Sequence, residues 1–210
     1  MAGLLSGFLG LVLAVGGAPG RASVEEPRYD VVQRLGDVEI RRYGPRIAAE
    51  ATVSGAEEQA RNAGFRKVAG YIFGGNRTRT SIAMTAPVVQ SAAASQKIAM
   101  TAPVAVARST GDAWTIQFIM PASYRMDTLP TPTDPAVRLR ELPPQTYAVL
   151  RFSGSRAPQA MARRTVDLSA RLDGSPWRAA GQPVAWFYDP PWTLPALRRN
   201  EVAVPVAHTP

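Results

Sequence analysis

Residues 29–73, YDVVQRLGDVEIRRYGPRIAAEATVSGAEEQARNAGFRKVAGYIF, change their hydrophobic period once, and that change decides the fold class. Tyr29 to Leu35 and Val38 to Tyr43 read as short strands joined at Gly36-Asp37, a pair suited to a hairpin turn. Ile47 to Val53 is a third strand after Gly44-Pro45. Past Ser54 the spacing becomes helical: Phe65, Val68, Ala69, Ile72 and Phe73 fall at i, i+3, i+4, i+7 and i+8. Ser54 and Glu57 stand at capping-box spacing and Gly74-Gly75-Asn76 stops the pattern, so an amphipathic helix is expected over about 55–73.

Trp114 to Met120 is a further strand of this first half, and the aperiodic, proline-rich passage from Pro121 to Pro135 is the connection to a second half that repeats the order. Val137 to Leu142 and Tyr147 to Phe152 are the next strand pair. A second helix is expected after Ser155, with Pro158 in its first turn, Met161, Thr165, Leu168 and Leu172 on one face, and its end at Gly174. Val184 to Tyr188 and Glu201 to Val206 close the chain as strands. Strands, helix, strands, twice over, predict an α+β fold with pseudo-twofold character. Two helices cover a twisted, largely antiparallel sheet or open barrel.

After the first helix, Ile-Ala-Met-Thr-Ala-Pro-Val occurs at Ile82 to Val88 and again at Ile98 to Val104. Each copy alternates like a half-buried strand and ends at a proline, which donates no ladder hydrogen bond. Two readings stand, a duplication that serves sheet packing and a pair of equivalent strand ends with a functional role.

The 210 residues suffice for one good core and argue for one domain. The net charge of +8 suits an anionic partner, but the basic residues are scattered in ones and twos (Arg41-Arg42, Arg66-Lys67, Arg163-Arg164, Arg198-Arg199), which argues against nucleic acid. There is no cysteine, which excludes disulfides, thiolate nucleophiles and cysteine-based metal sites. Leu4 to Val15 is an apolar stretch of signal-peptide length, followed by small residues from Gly16 to Ala22. Residues 1–22 are therefore expected to be a secretory signal, and the protein to be exported to a periplasm or beyond. The alternative is an uncleaved N-terminal anchor, which would then be the only membrane contact.

Several separated motifs carry a family resemblance: Arg41-Arg42-Tyr43, Tyr71-Ile72-Phe73-Gly74-Gly75-Asn76, the heptapeptide pair, and Asp189-Pro190-Pro191-Trp192-Thr193-Leu194-Pro195 leading to Arg198-Arg199-Asn200-Glu201-Val202. Over roughly residues 27–206 the chain resembles the SOUL/haem-binding protein family. The resemblance implies a distorted β-barrel flanked by two helices, built from two similar halves. It also implies non-enzymatic binding of haem or a related tetrapyrrole in a shallow apolar cleft, for buffering or transport.

Such a pocket needs an apolar wall and cations for the propionates. Projection of the first helix puts Arg61 on the apolar stripe with Phe65 and Ile72, Arg66 at its edge, and Lys67 away from it, so Arg61 and Arg66 are the propionate candidates. Both are equally well explained as arginines covering the helix flank. The only histidine, His208, is the third residue from the end, so no axial histidine is expected. Met84, Met100 or Tyr71 could ligate in principle, although a methionine on the apolar side of a strand usually packs a core. Trp186, Tyr188 and Trp192 could stack on a tetrapyrrole or plug one end of the barrel. The alternatives are a binding module for another amphipathic small molecule, or an enzyme using Asp189 and Glu201 as acid and base.

Overall fold

The computed structural model describes residues 24–78 and 95–209. The expected signal segment, the first heptapeptide copy and Met84 lie outside the described residues. In the first half, strands β1 (Tyr29–Leu35), β2 (Val38–Tyr43) and β3 (Arg46–Ser54) lead into helix α1 (Glu57–Ile72) and a two-residue strand β4 (Asn76–Arg77). Strands β5 (Val104–Arg108) and β6 (Ala113–Ile119) complete it. The second half runs β7 (Thr131–Pro132), β8 (Val137–Leu142), β9 (Gln145–Phe152), α2 (Pro158–Leu172), β10 (Trp177–Ala179), β11 (Val184–Phe187) and β12 (Asn200–His208).

The order across the main sheet is β1-β2-β9-β12-β11-β5-β6-β3-β8, every pairing antiparallel, with β10 added beside β12. Outward from the central β11/β5 pair the order is symmetric: β12 matches β6, β9 matches β3, and β2 matches β8. The expected α+β architecture and its duplicated halves are thus present, as a curled half-barrel with two helices on one face. α1 packs on β3 and β6, and α2 on β12 and β9.

The turn glycine of the first hairpin, Gly36, takes φ +62, the left-handed region that glycine adopts without penalty. At α1 the details depart from the sequence pattern. Ser54 does not cap it; the cap is Ala56, without a side-chain bond, because Gly55 at φ +121 turns the chain first. The buried residues of α1 are Ala60, Gly64, Val68, Ala69, Tyr71 and Ile72, whereas Phe65 and Phe73 are exposed. At 100° per residue this rotates the buried face by about 90° from the stripe that the large apolar residues suggest. Gly64 explains it: a Cβ there would stand 2.6 Å from Ile116 Cδ1, so the missing side chain lets the helix backbone settle onto β6.

The second heptapeptide copy is not a strand. Residues 98–100 have no regular pairing, Thr101 makes a single bridge to Glu25, and β5 begins at Val104, after the proline rather than before it. Ile98 is buried and Met100 exposed, so the period of two is not kept. The segment is held by individual bonds: Ile98 N–H donates to the Ile72 carbonyl at 2.9 Å, and the Thr101 hydroxyl to that of Ile119. Asn76 ties the same region to the end of α1, donating to the carbonyls of Tyr71 (2.8 Å) and Gln96 (2.7 Å). β12 also runs further than expected and contains His208, whose ring lies 5.0 Å from that of Trp177. No helix among the described residues is long and apolar enough to cross a membrane.

Candidate ligand-binding site

Alternation along each strand assigns its side chains to one of two faces. On the helix side, the register sets Phe187 of β11, Val104 of β5, Phe118 of β6 and Ala49 of β3 in one row. α1 crosses this row. Phe65 meets Phe118 with ring centroids 5.4 Å apart, and one turn earlier the Arg61 guanidinium lies 5.6 Å from the Phe187 centroid. Arg156, from the loop before α2, covers the same ring at 5.1 Å. It donates to Asn200 Oδ1 (3.2 Å) and to the Asp189 carbonyl (2.5 Å).

The electrostatics here are lopsided. Burial lowers the Arg156 pKa to about 10, with Arg198 and Arg61 adding repulsion and Asp189 opposing it. Arg61 Nη1 is buried and has no hydrogen-bond partner among the described residues; Glu57 Oε1, its ion-pair neighbour, stands 3.9 Å away, beyond hydrogen-bond reach. Burial also pushes the Glu57 carboxyl up, with Arg61 and Arg108 opposing. Arg198 donates to the carbonyls of Thr193 (2.7 Å) and Pro191 (2.8 Å), in the loop whose Trp192, Leu194 and Leu197 are exposed. A cation-rich patch beside exposed apolar side chains can hold an anion with an apolar body.

The opposite face is concave. Tyr43 of β2 and Trp186 of β11 are three strands apart, about 14 Å on a flat sheet, yet their ring centroids are 5.6 Å apart. Tyr147 packs on both, at 5.9 Å and 5.2 Å. Beside these rings Glu201, wholly buried, accepts from Arg41 Nη1 (2.9 Å) and Nη2 (3.3 Å), Arg199 Nε (3.2 Å) and Nη2 (3.1 Å), and the Tyr188 hydroxyl (2.7 Å). Arg41 also donates to Glu39 (2.8 Å) and Arg199 to Glu26 (2.9 Å). Burial alone would lower the Arg41 pKa, but Glu201 outweighs it and the net shift is upward. Burial, then the Glu201 charge, raises Tyr188; burial pushes Tyr43 up to about 12, against the Arg41 charge.

The eight residues expected to bind ligand are therefore not brought together. Arg61 and Phe65 share the helix-side patch. Arg66 is exposed on the other flank of α1, beside Lys67 and Asp134, because the rotated helix turns it outward; Lys67 instead pairs with Asp134 at 3.0 Å. Ile72 is wholly buried in the core, and Met100 is exposed before β5. Trp186 and Tyr188 belong to the concave face, since they alternate with Phe187. Met84 lies outside the described residues. Sequence reasoning missed Arg156 and Phe187, although the period of two already separates Phe187 from its aromatic neighbours. It also missed that Glu201 is saturated: with five donors on its oxygens, no lone pair is left for acid–base work with Asp189. Asp189 itself accepts the Arg199 N–H at 2.5 Å. Among the described residues no group of three or more His, Asp or Glu could hold a metal ion.

Comparison with known proteins bears on this arrangement. The model of a family described as SOUL heme-binding protein matches residues 24–96 and 89–205. No curated protein sequence matches significantly. Among solved structures the chain is similar to the EcmrR C-terminal domain, with a TM-score of 0.55 at 8% identity over 86% of this chain and 99% of that one. It is also similar to a hydrolase from Listeria innocua, with a TM-score of 0.51 at 12% identity over 89% of this chain and 94% of that one. EcmrR in a DNA complex gives a TM-score of 0.54 at 8% identity over 82% of this chain and 57% of that one. Identities this low speak for the fold alone.

Proposed function

This chain belongs to the SOUL heme-binding protein family, and we propose that it binds haem or a related tetrapyrrole reversibly, without turnover, for buffering or transport. The observation that supports this reading most is the guanidinium pair over Phe187, where Arg61 keeps a buried Nη1 without a hydrogen-bond partner among the described residues. A tetrapyrrole of the haem type offers two carboxylates on a flat apolar body. Arg61 and Arg156 would hold the carboxylates, and Phe65 with the exposed Trp192 loop would supply apolar surface. His208 sits at the far end of β12 from Asn200, eight residues or about 26 Å along the strand. Affinity in this reading comes from the propionates and the ring faces, so metal-free protoporphyrin competes with hemin.

Titration with both ligands tests this. Arg61→Ala and Arg156→Ala should each weaken binding by about 1 to 2 kcal/mol, and Arg66→Ala should leave it unchanged. Equal affinities in all three variants and the parent would sink the assignment. A neutral amphipathic ligand binding as well as porphyrin would favour the broader reading, a binding module for another small molecule. The setting we propose is outside the cytoplasm, with the chain cut near Ser23; N-terminal sequencing of exported protein checks it.

A further inference from the structure

At one end of the half-barrel lies a cavity of about 1260 Å³, bounded by residues 25–30, the β2–β3 turn, the segment after β6 and the β8–β9 turn. Ile47, Ile119, Met120, Met126 and Leu142 give it apolar walls. Arg46, the first residue of β3, lines it from the concave face and stacks on Tyr43 at 4.5 Å and on Tyr147 at 5.9 Å. We propose that this cavity is a binding site for an amphipathic monocarboxylate, with Arg46 as its anchor.

The interior arginines differ in their counter-ions. Arg41 and Arg199 lie on the same concave face, and each is neutralised by two carboxylates, Glu39 and Glu201 for the first, Glu26 and Glu201 for the second. Arg46 has none: no Asp or Glu among the described residues is within ion-pair distance, and its Nε is buried without a hydrogen-bond partner. Burial lowers its pKa, and only the phenols of Tyr147 and Tyr43 oppose this. A guanidinium held in a cavity wall with aromatic faces on one side and no counter-ion is completed by an anion from the solvent side. The ligand's charge follows from the lining, where Arg28, Arg42, Arg46 and Arg125 face Glu25, Glu26, Asp30 and Glu141, four against four. A multiply charged anion meets as much repulsion as attraction. A single carboxylate that reaches Arg46, with an apolar body along the walls, does not. The site thus differs in its lining residues and in ligand charge from the patch at Arg61 and Arg156.

The test uses the full chain with decanoate and, as its neutral counterpart, 1-decanol. Calorimetric titration should give one decanoate site per chain, at least about tenfold tighter than decanol. Arg46→Gln should remove that preference without changing hemin affinity, Arg46→Lys should restore part of it, and Arg61→Ala should leave decanoate binding alone. Should Arg46→Gln misfold, the parent suffices: decanoate must shift the methyl NMR signals of Met120 and Met126 and leave that of Met161, in α2, unmoved. Equal binding of decanol and decanoate, no binding of either, or no shift at Met120 and Met126 overturns the proposal.

Discussion

Arginine does opposite work on the two faces of this sheet. On the concave face Arg41 and Arg199 clamp the wholly buried Glu201, and the resulting network knits β2, β12 and the N-terminal segment together. On the helix-covered face Arg61 and Arg156 share one aromatic ring, and Arg61 reaches Glu57 only at 3.9 Å. The residue type is the same and the surroundings decide its role. A guanidinium whose donors are spent on buried carboxylates belongs to the scaffold, and one with fewer such partners is the kind that our proposed reading assigns to a ligand.

The largest effect should come from breaking the saturated network. Glu201→Leu leaves Arg41 and Arg199 buried without their shared counter-ion and should cost about 3 to 5 kcal/mol in urea unfolding. A loss below 1 kcal/mol would mean that the network is ornamental and that the contrast between faces fails. Next is alkaline pH. Tyr43 ionises at about 12 when folded and near 10 when not, so the folded state holds its proton more tightly. Its contribution, on the order of 2 kcal/mol, is whole below pH 10 and is lost as pH climbs from 10 to 12. Stability curves of the parent and Tyr43→Phe should separate in that window and nowhere below it.

On the helix side, Gly64→Ala drives a methyl group into Ile116 and should cost roughly 1 to 3 kcal/mol of overpacking, less about 1 regained in helix propensity. Ile116→Val in the same chain should recover part of it; thermal melts of the three proteins decide. Smallest is Lys67→Ala at the half-exposed pair with Asp134 (3.0 Å), expected to cost under about 1 kcal/mol and to fade with salt.

Much of the scaffold was legible because local signals agreed with one another. The first hairpin, the extents of strands β8 and β9, and the face of α2 with Met161, Leu168 and Leu172 buried all match their patterns, but β8 and β9, expected as a pair, bond instead to β3 and to β2 and β12. Where small residues carry the packing, the signal is silent. Ala60 and Gly64 add little hydrophobicity, so the projection of α1 followed Phe65 and Phe73, which the structure leaves outside, and exchanged the roles of Arg66 and Lys67. The heptapeptide at 98–104 shows the limit of a short alternation, which an extended segment tied by single bonds satisfies as well as a strand does. Of the site we propose, only Arg61 and Phe65 were legible in the sequence. The Arg41–Glu201 contact joins residues 160 apart, and the isolation of Arg46 is a property of its neighbours in space, which no local pattern records.

The symmetric strand order has a consequence for assembly. Each half gives away an edge: β2 pairs with β9 of the second half, and β8 pairs with β3 of the first. Neither half can close its own sheet, so the native pairings require loop closures spanning most of the domain, and folding should be slow for a chain of this length. By the same logic, a nick in the 121–135 connection would yield two pieces with exposed strand edges. Separately they should aggregate; mixed, they should recover the parent's cooperative melt by exchanging strands.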